Sequence, residues 1–390
     1  MENPSVRNLL HLGLCFTRWL GRLPWPCTPA LIAASALALR AGPAALWLAL
    51  WSLADWLLLE SLPRLGLSYG TVQPSHLALL AVRWLVAGLG VWLGPLRVLT
   101  WAAQPLLWGL AVYATAVEPF CLGVTELRLS DERASPGARP LSILQIGDIH
   151  VERLTRRERR LLELVERLEA DLILLTGDYL SLSYVGEARA LADVRELLGR
   201  LKARHGIYAV RGTPQVDPQG VMDTLFQGLP IVVLEGARAE LEVDGHRLRI
   251  VGVGCDRDFA LEVPALRAAL AGAEDGYFTI LLYHMPDLLA PASDLGVDLY
   301  LAGHTHGGQL RLPLIGAIIT GSRFGKRYEM GWYRRGRTRL YVARGVGLEG
   351  MGAPRARFLC PPEVVHIRLA GGENGKRGDT EGTEGTEGSY

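Results

Sequence analysis

Gly303-His304-Thr305-His306-Gly307-Gly308-Gln309 stands directly after a short apolar run, residues 298–302. Two histidines two residues apart in a glycine-rich turn are poorly suited to filling a core and well suited to holding a cation. The same grammar recurs upstream. Run 142–146 ends in Gly147-Asp148-Ile149-His150, run 172–176 in Gly177-Asp178, run 207–211 in Gly212-Thr213-Pro214-Gln215, and run 279–283 in His284. Short apolar runs bounded by glycine read as buried strands. Between them, residues 155–170 and 187–204 carry apolar side chains at helical spacing with charged opposite faces. Residues 239–243 and 247–253 read as a hairpin turning through Asp244-Gly245. The alternation predicts a layered α/β domain whose polar clusters gather at one sheet edge, where such folds place their sites.

Those clusters have the composition of a metal centre. Asp148 and His150 leave one strand two residues apart, so a loop can turn both toward one ion. Asp178, after a second strand, can bridge two ions, while His284, His304 and His306 offer neutral nitrogen ligands. Mixed carboxylate and imidazole ligation suits manganese, iron or zinc better than magnesium or calcium alone. The remaining histidines, His11, His76, His205, His246 and His366, stand alone and read as surface or turn residues. Five widely spaced cysteines without a CxxC pair indicate neither a zinc knuckle nor a disulfide framework.

In this order, the motifs resemble the calcineurin-like metallophosphoesterase superfamily, in particular a bacterial membrane-associated branch ending in Gly-His-Thr-His-Gly-Gly-Gln. The resemblance covers residues 141–369 and extends to 340–347 and 357–363. It implies a two-sheet β-sandwich flanked by helices, and hydrolysis of a phosphate mono- or diester by metal-activated hydroxide with two divalent ions. It further implies that Asp148, His150 and His306 hold the first metal, that His284 and His304 hold the second, and that Asp178 bridges. Asp178 and His304 would then be catalytic as well. One motif departs from the family. Where it has Gly-Asn-His followed by Asp or Glu, this chain has Gly212-Thr213-Pro214-Gln215. Asparagine would ligate the second metal and histidine would assist the leaving group or bind phosphate. Thr213 offers a weaker hydroxyl ligand, and Pro214 offers none.

The chain has 390 residues, of which 49% are hydrophobic, with 41 basic against 40 acidic side chains. That balance excludes a disordered chain and a global basic field for nucleic acid. It hides an asymmetry. Nine of ten tryptophans precede residue 110, and between Leu23 and Val117 only Arg40, Asp55, Glu60, Arg64, Arg83 and Arg97 are charged. Residues 25–118 therefore read as a transmembrane helical region of about four spans, with 43–62, 75–94 and 97–117 near the required length and 25–39 shorter. Residues 1–24 read as an amphipathic interfacial segment, with Arg7, His11, Arg18 and Arg22 opposite apolar side chains. Asp55 and Arg83 fall at similar depth in a helical hairpin, which predicts an ion pair between them.

With the N-terminus inside, four spans and the positive-inside rule put a metallophosphoesterase domain, residues 127–370, in the cytoplasm of a multi-pass membrane protein. The Gly-Thr-Glu repeats of 371–390 predict a disordered tail. The expected partners are the lipid bilayer and a phosphoester substrate, a lipid-linked one being favoured by location, with no nucleic acid. A competing reading makes the chain a metal-binding pseudoenzyme acting as a membrane partner or sensor, because of the altered third motif. A transporter would rest on Asp55 and Arg83 alone.

Overall fold

A computed structural model describes residues 42–93, 95, 97–349 and 354–372. Two compact units are distinguished, one running to Pro119 and including Glu349–Arg357, the other comprising Phe120–Leu348 and the stretch from Phe358. The interfacial segment, the short first apolar stretch and all but the first two residues of the tail lie outside the described residues.

The second unit is built on two six-stranded sheets. Its strands are β1 (Gly123–Asp131), β2 (Leu141–Ile146), β3 (Leu172–Leu175), β4 (Ile207–Ala209), β5 (Ile231–Val233), β6 (Ala237–Val243), β7 (His246–Gly252), β8 (Phe278–Leu282), β9 (Leu299–Ala302), the short pair β10 (Arg311–Leu312) and β11 (Gly316–Ala317), β12 (Gly331–Arg335), β13 (Thr338–Val342) and β14 (Glu363–Gly371). One sheet has the order β1-β14-β2-β3-β4-β5 and the other β12-β13-β9-β8-β7-β6. Strands β2 to β5 run parallel, as do β7, β8, β9 and β13.

Alternation along each strand explains the layering. Leu172 and Leu174 join Leu141, Ile143, Ile280, Leu282, Leu299 and Leu301 in a core contributed by both sheets. Ile173 and Leu175 face the opposite way, toward a core shared with the first helices of this unit. Strands buried on both faces must read as unbroken apolar runs, which is why Leu-Ile-Leu-Leu was legible as a strand. The mixed α/β architecture is thus two packed sheets with helices on their outer faces.

The first unit contains α1 (Pro43–Ser61), α2 (Val72–Trp92) and α3 (Arg97–Val112), continued by a π-helical turn at Tyr113–Val117. Among the described residues, Pro43–Ser61 and Val72–Gly90 are long and apolar enough to cross a membrane. Leu46, Leu50, Leu53 and Leu57 are exposed along α1, whereas Ser52, Asp55, His76, Arg83 and Gln104 are buried. The expected ion pair forms: Arg83 Nη2 donates to Asp55 Oδ1 at 2.7 Å, and its Nη1 donates to the Gln104 carbonyl at 2.9 Å. The reading of lone histidines as surface or turn residues needs correction. His76, His246 and His366 are buried, bonded to Ser52 O, Arg139 O and Ser142 Oγ. These partners are distant in sequence, so no local pattern announced them. His205 is half-buried, and His11 lies outside the described residues.

Candidate metal centre

Register puts the motifs level. Ile146 pairs with Leu175 and Leu175 with Ala209 in one sheet, and Leu282 pairs with Leu301 in the other. The loops that follow therefore leave the carboxyl ends of β2, β3, β4, β8 and β9 together. Asp148, His150 and His306 form one buried group of metal-ligand atoms, and Asp178, His284 and His304 form another. Asp178 Oδ2 reaches both, at 3.3 Å from His284 Nε2 and 3.6 Å from His150 Nε2. His306 Nε2 lies 3.4 Å from Asp148 Oδ1 and 3.0 Å from His150 Nε2. All six candidate ligands are brought together.

The backbone is strained to achieve this. Asp148, His150, Asp178, His304 and His306 have φ of 48°, 44°, 57°, 69° and 50°. Left-handed geometry is unfavourable for residues with a Cβ and is characteristically held at functional sites by the surrounding structure. Glycines make room: a Cβ on Gly303 would come within 2.0 Å of Asp148 Oδ2, and one on Gly177, at φ 95°, within 2.5 Å of Gly212 Cα.

Carbonyls fix the imidazole tautomers. His150 Nδ1 faces Leu180 O at 3.2 Å, His284 Nδ1 faces Thr176 O at 2.8 Å, and His304 Nε2 faces Gly321 O at 3.1 Å. A carbonyl only accepts, so each of these nitrogens donates, and in the neutral ring the other carries a lone pair directed inward. His284 Nε2 and His304 Nδ1 then stand 3.2 Å apart, beside the Asp178 carboxylate. Facing lone pairs and a carboxylate fit a cation between them. This donor set suits a divalent transition metal.

Charge in the site follows from burial and from Asp178. Burial lowers His150 to about 4 against the pull of Asp178, and burial with His284 and Arg257 lowers His304 to about 3. Burial also acts to lower His284, but Asp178 outweighs it and raises this imidazole to about 10. A proton on His284 and a bound cation are thus alternative ways of balancing Asp178. Burial favours the protonated Asp178 carboxyl, yet His284 and His150 hold it well below its ordinary range.

The altered third motif occupies the same space. Thr213 Oγ1 lies 3.2 Å from His284 Nε2, 3.3 Å from Asp178 Oδ2 and 3.5 Å from His304 Nδ1. Its N–H donates to Asp178 Oδ1 at 2.6 Å. Sequence reasoning missed Asp217, whose buried carboxylate accepts the N–H groups of Asp178 at 2.7 Å, Gly212 at 2.9 Å and Tyr179 at 3.0 Å. It ties the β3 loop to the β4 loop. Burial, with the nearby Asp178 charge, pushes its carboxyl up to about 7. An aspartate before Pro218 reads locally as the start of a helix, which hides this role. Cys360 was also missed; its buried thiol donates to His306 O at 3.1 Å.

The family profile described as calcineurin-like phosphoesterase matches residues 141–212. The uncharacterized metallophosphoesterase YkuE of Bacillus subtilis is 31% identical over 262 residues, 66% of this chain and 88% of that protein. Phosphodiesterase YaeI of Escherichia coli is 29% identical over 242 residues, 60% of this chain and 83% of that protein. Among solved structures, a dimetal phosphatase from Danio rerio aligns with a TM-score of 0.37 at 12% identity, covering 53% of this chain and 88% of that one.

Proposed function

Because the chain belongs to the calcineurin-like metallophosphoesterase family of hydrolases, we propose that it is a membrane-anchored phosphoesterase acting on a phosphate mono- or diester, lipid-linked by preference. The observation that carries this reading is the convergence of two ligand groups on Asp178. Asp148, His150 and His306 would hold one divalent ion, and His284 and His304 a second, with Asp178 between them and Thr213 completing the second set. Two such ions of manganese, iron or zinc would offset charge on the phosphoryl oxygens and make water a nucleophile at neutral pH. The protein's own part is positional. Leu180, Thr176 and Gly321 carbonyls hold the rings in the ligating tautomer, and Asp217 fixes the backbone under Asp178.

Membrane anchoring is supported by α1 and α2, which expose leucines and enclose polar side chains, the reverse of a water-soluble bundle. We place residues 25–118 in the bilayer, with a metallophosphoesterase domain at 127–370 on the cytoplasmic side. A second reading, a pseudoenzyme that binds metal without turnover, is favoured by Pro214 alone. Metal analysis of the purified chain together with hydrolysis of bis(p-nitrophenyl) phosphate separates the two. The expected result is about two divalent ions per chain and activity that disappears, with reduced metal content, in Asp178→Asn. Full metal content with no hydrolysis of any phosphoester would favour the pseudoenzyme.

A further inference from the structure

The loop that follows the last histidine motif exposes an apolar knob. Leu312, Leu314, Ile315, Ile318, Ile319 and Phe324 are all exposed, Ile319 at 77% and Leu314 completely. They belong to the β10–β11 hairpin and the turn after it. A monomeric surface in water rarely keeps so many large apolar side chains together. The segment is nevertheless well fastened. Arg311 Nη1 donates to Gly307 O and to Glu329 Oε2, both at 2.8 Å, and Lys326 Nζ donates to Ile315 O at 2.6 Å. The apolar side chains are therefore displayed by a braced loop.

Their charge environment selects the occupant. Residues 310–328 contain Arg311, Arg323, Lys326 and Arg327 and no aspartate or glutamate. Glu329 offsets part of Arg311 and Lys326, and Asp287, which accepts from Ser322 Oγ, lies near Arg323, while Arg323 and Arg327 are exposed beside Phe324. A protruding apolar tip ringed by cations is the pattern of insertion into the headgroup region of an anionic bilayer. A flat protein interface would call for a complementary surface, whereas lipid accommodates a projecting side chain such as Leu314. The same chain also carries two helices of membrane-crossing length.

We propose that residues 310–327 form a membrane-docking loop, with Leu314 and Ile315 inserted among acyl chains and Arg323 and Arg327 on anionic headgroups. The loop is coupled to the candidate metal centre. Gly321 O accepts from His304 Nε2 at 3.1 Å, and Gly308 approaches Ala317 so closely that a Cβ on it would fall 2.4 Å from Ala317 Cβ. Docking would bring the centre to a bilayer-resident phosphodiester. That consequence rests on the phosphoesterase reading; the docking itself does not.

The test uses the full chain in vesicles of phosphatidylcholine and phosphatidylglycerol, with an environment-sensitive dye on Leu314→Cys. Wild type, with its exposed Cys121, is labelled in parallel as background. Lipids carrying a shallow acyl-chain quencher should quench this dye at least about twofold more than one on Glu242→Cys, at a charged position on β6. Equal quenching at the two positions would overturn docking, and so would efficient Leu314→Cys disulfide formation between copies, which assigns the knob to a second chain. For presentation, p-nitrophenol release is compared between a diacylglycerol p-nitrophenyl phosphate in the vesicles and soluble bis(p-nitrophenyl) phosphate. Leu314→Glu with Ile315→Glu should reduce the vesicle rate about tenfold and spare the soluble rate; equal losses would overturn presentation. Selective quenching in a chain inactive on both substrates would support docking while removing the phosphoesterase reading.

Discussion

Pro214 bears on the chemistry because of what it cannot do. The neighbouring Thr213 hydroxyl, 3.2 Å from His284 Nε2, can still act as a ligand, but proline has no proton to give. If position 214 faces the leaving group, no side chain there protonates a departing alkoxide, and turnover should fall steeply as the leaving group becomes more basic. Nitrophenyl diesters should be cleaved far faster than alkyl diesters. Thr213→Asn with Pro214→His should flatten that dependence and raise turnover by at least roughly tenfold, a modest share of the usual acid–base contribution. Proline also restricts its own φ and biases Thr213 toward extended geometry, so the replacement has to reshape the loop as well. An unchanged leaving-group slope would mean that position 214 does not face the departing oxygen. The candidate ligands were legible because residue type and spacing carry them. The left-handed φ values of five of them were not, since they result from contacts such as Gly303 against Asp148 that form only on folding. Asp217 was hidden for the same reason.

At the scale of elements, the helix after β2, α4 (Arg156–Leu168), is fixed by its first turn. Thr155 N–H donates to Glu158 Oε2 at 2.8 Å, and Arg157 N–H donates to Thr155 Oγ1 at 3.2 Å. This capping box satisfies donors that the helix leaves open. Thr155→Ala should cost about 1 kcal/mol, seen as a fall of roughly 2–4 °C in Tm with metal content unchanged. A loss of metal would show instead that the cap positions the neighbouring His150 loop. The predicted central strands, such as β3 with all four residues buried, formed near their expected bounds because burial on both faces makes them largely apolar. Their ends shifted by a residue or more, as at β4, which stops at Ala209. The place of β14 could not be read. It inserts between β1 and β2, parallel to one and antiparallel to the other, and no local signal encodes a partner more than two hundred residues away.

The two units of the molecule bury opposite kinds of side chain. The second unit buries leucine and isoleucine between sheets, while the first buries Asp55, Arg83 and Gln104 and exposes leucine. In the first unit the Asp55–Arg83 pair, less than 2% exposed on both sides, links α1 to α2, and Arg83 also holds Gln104 on α3. Removing one partner leaves a charge buried without compensation, which typically costs about 3 kcal/mol or more. Asp55→Ala should therefore lower the thermal stability of the chain in bicelles strongly, and adding Arg83→Ala should lower it by clearly less than Arg83→Ala does alone. Fully additive losses would mean that the pair contributes no coupling. The proposed orientation is tested on the same unit. Arg64, between α1 and α2, and Arg128, after α3, fall on one side if all three helices and a preceding segment span, and the positive-inside rule makes that side cytoplasmic. A reporter fused after residue 125 should then read as cytoplasmic. An extracellular reading would require an odd number of spans, and the phosphoester substrate would have to be sought on the opposite leaflet.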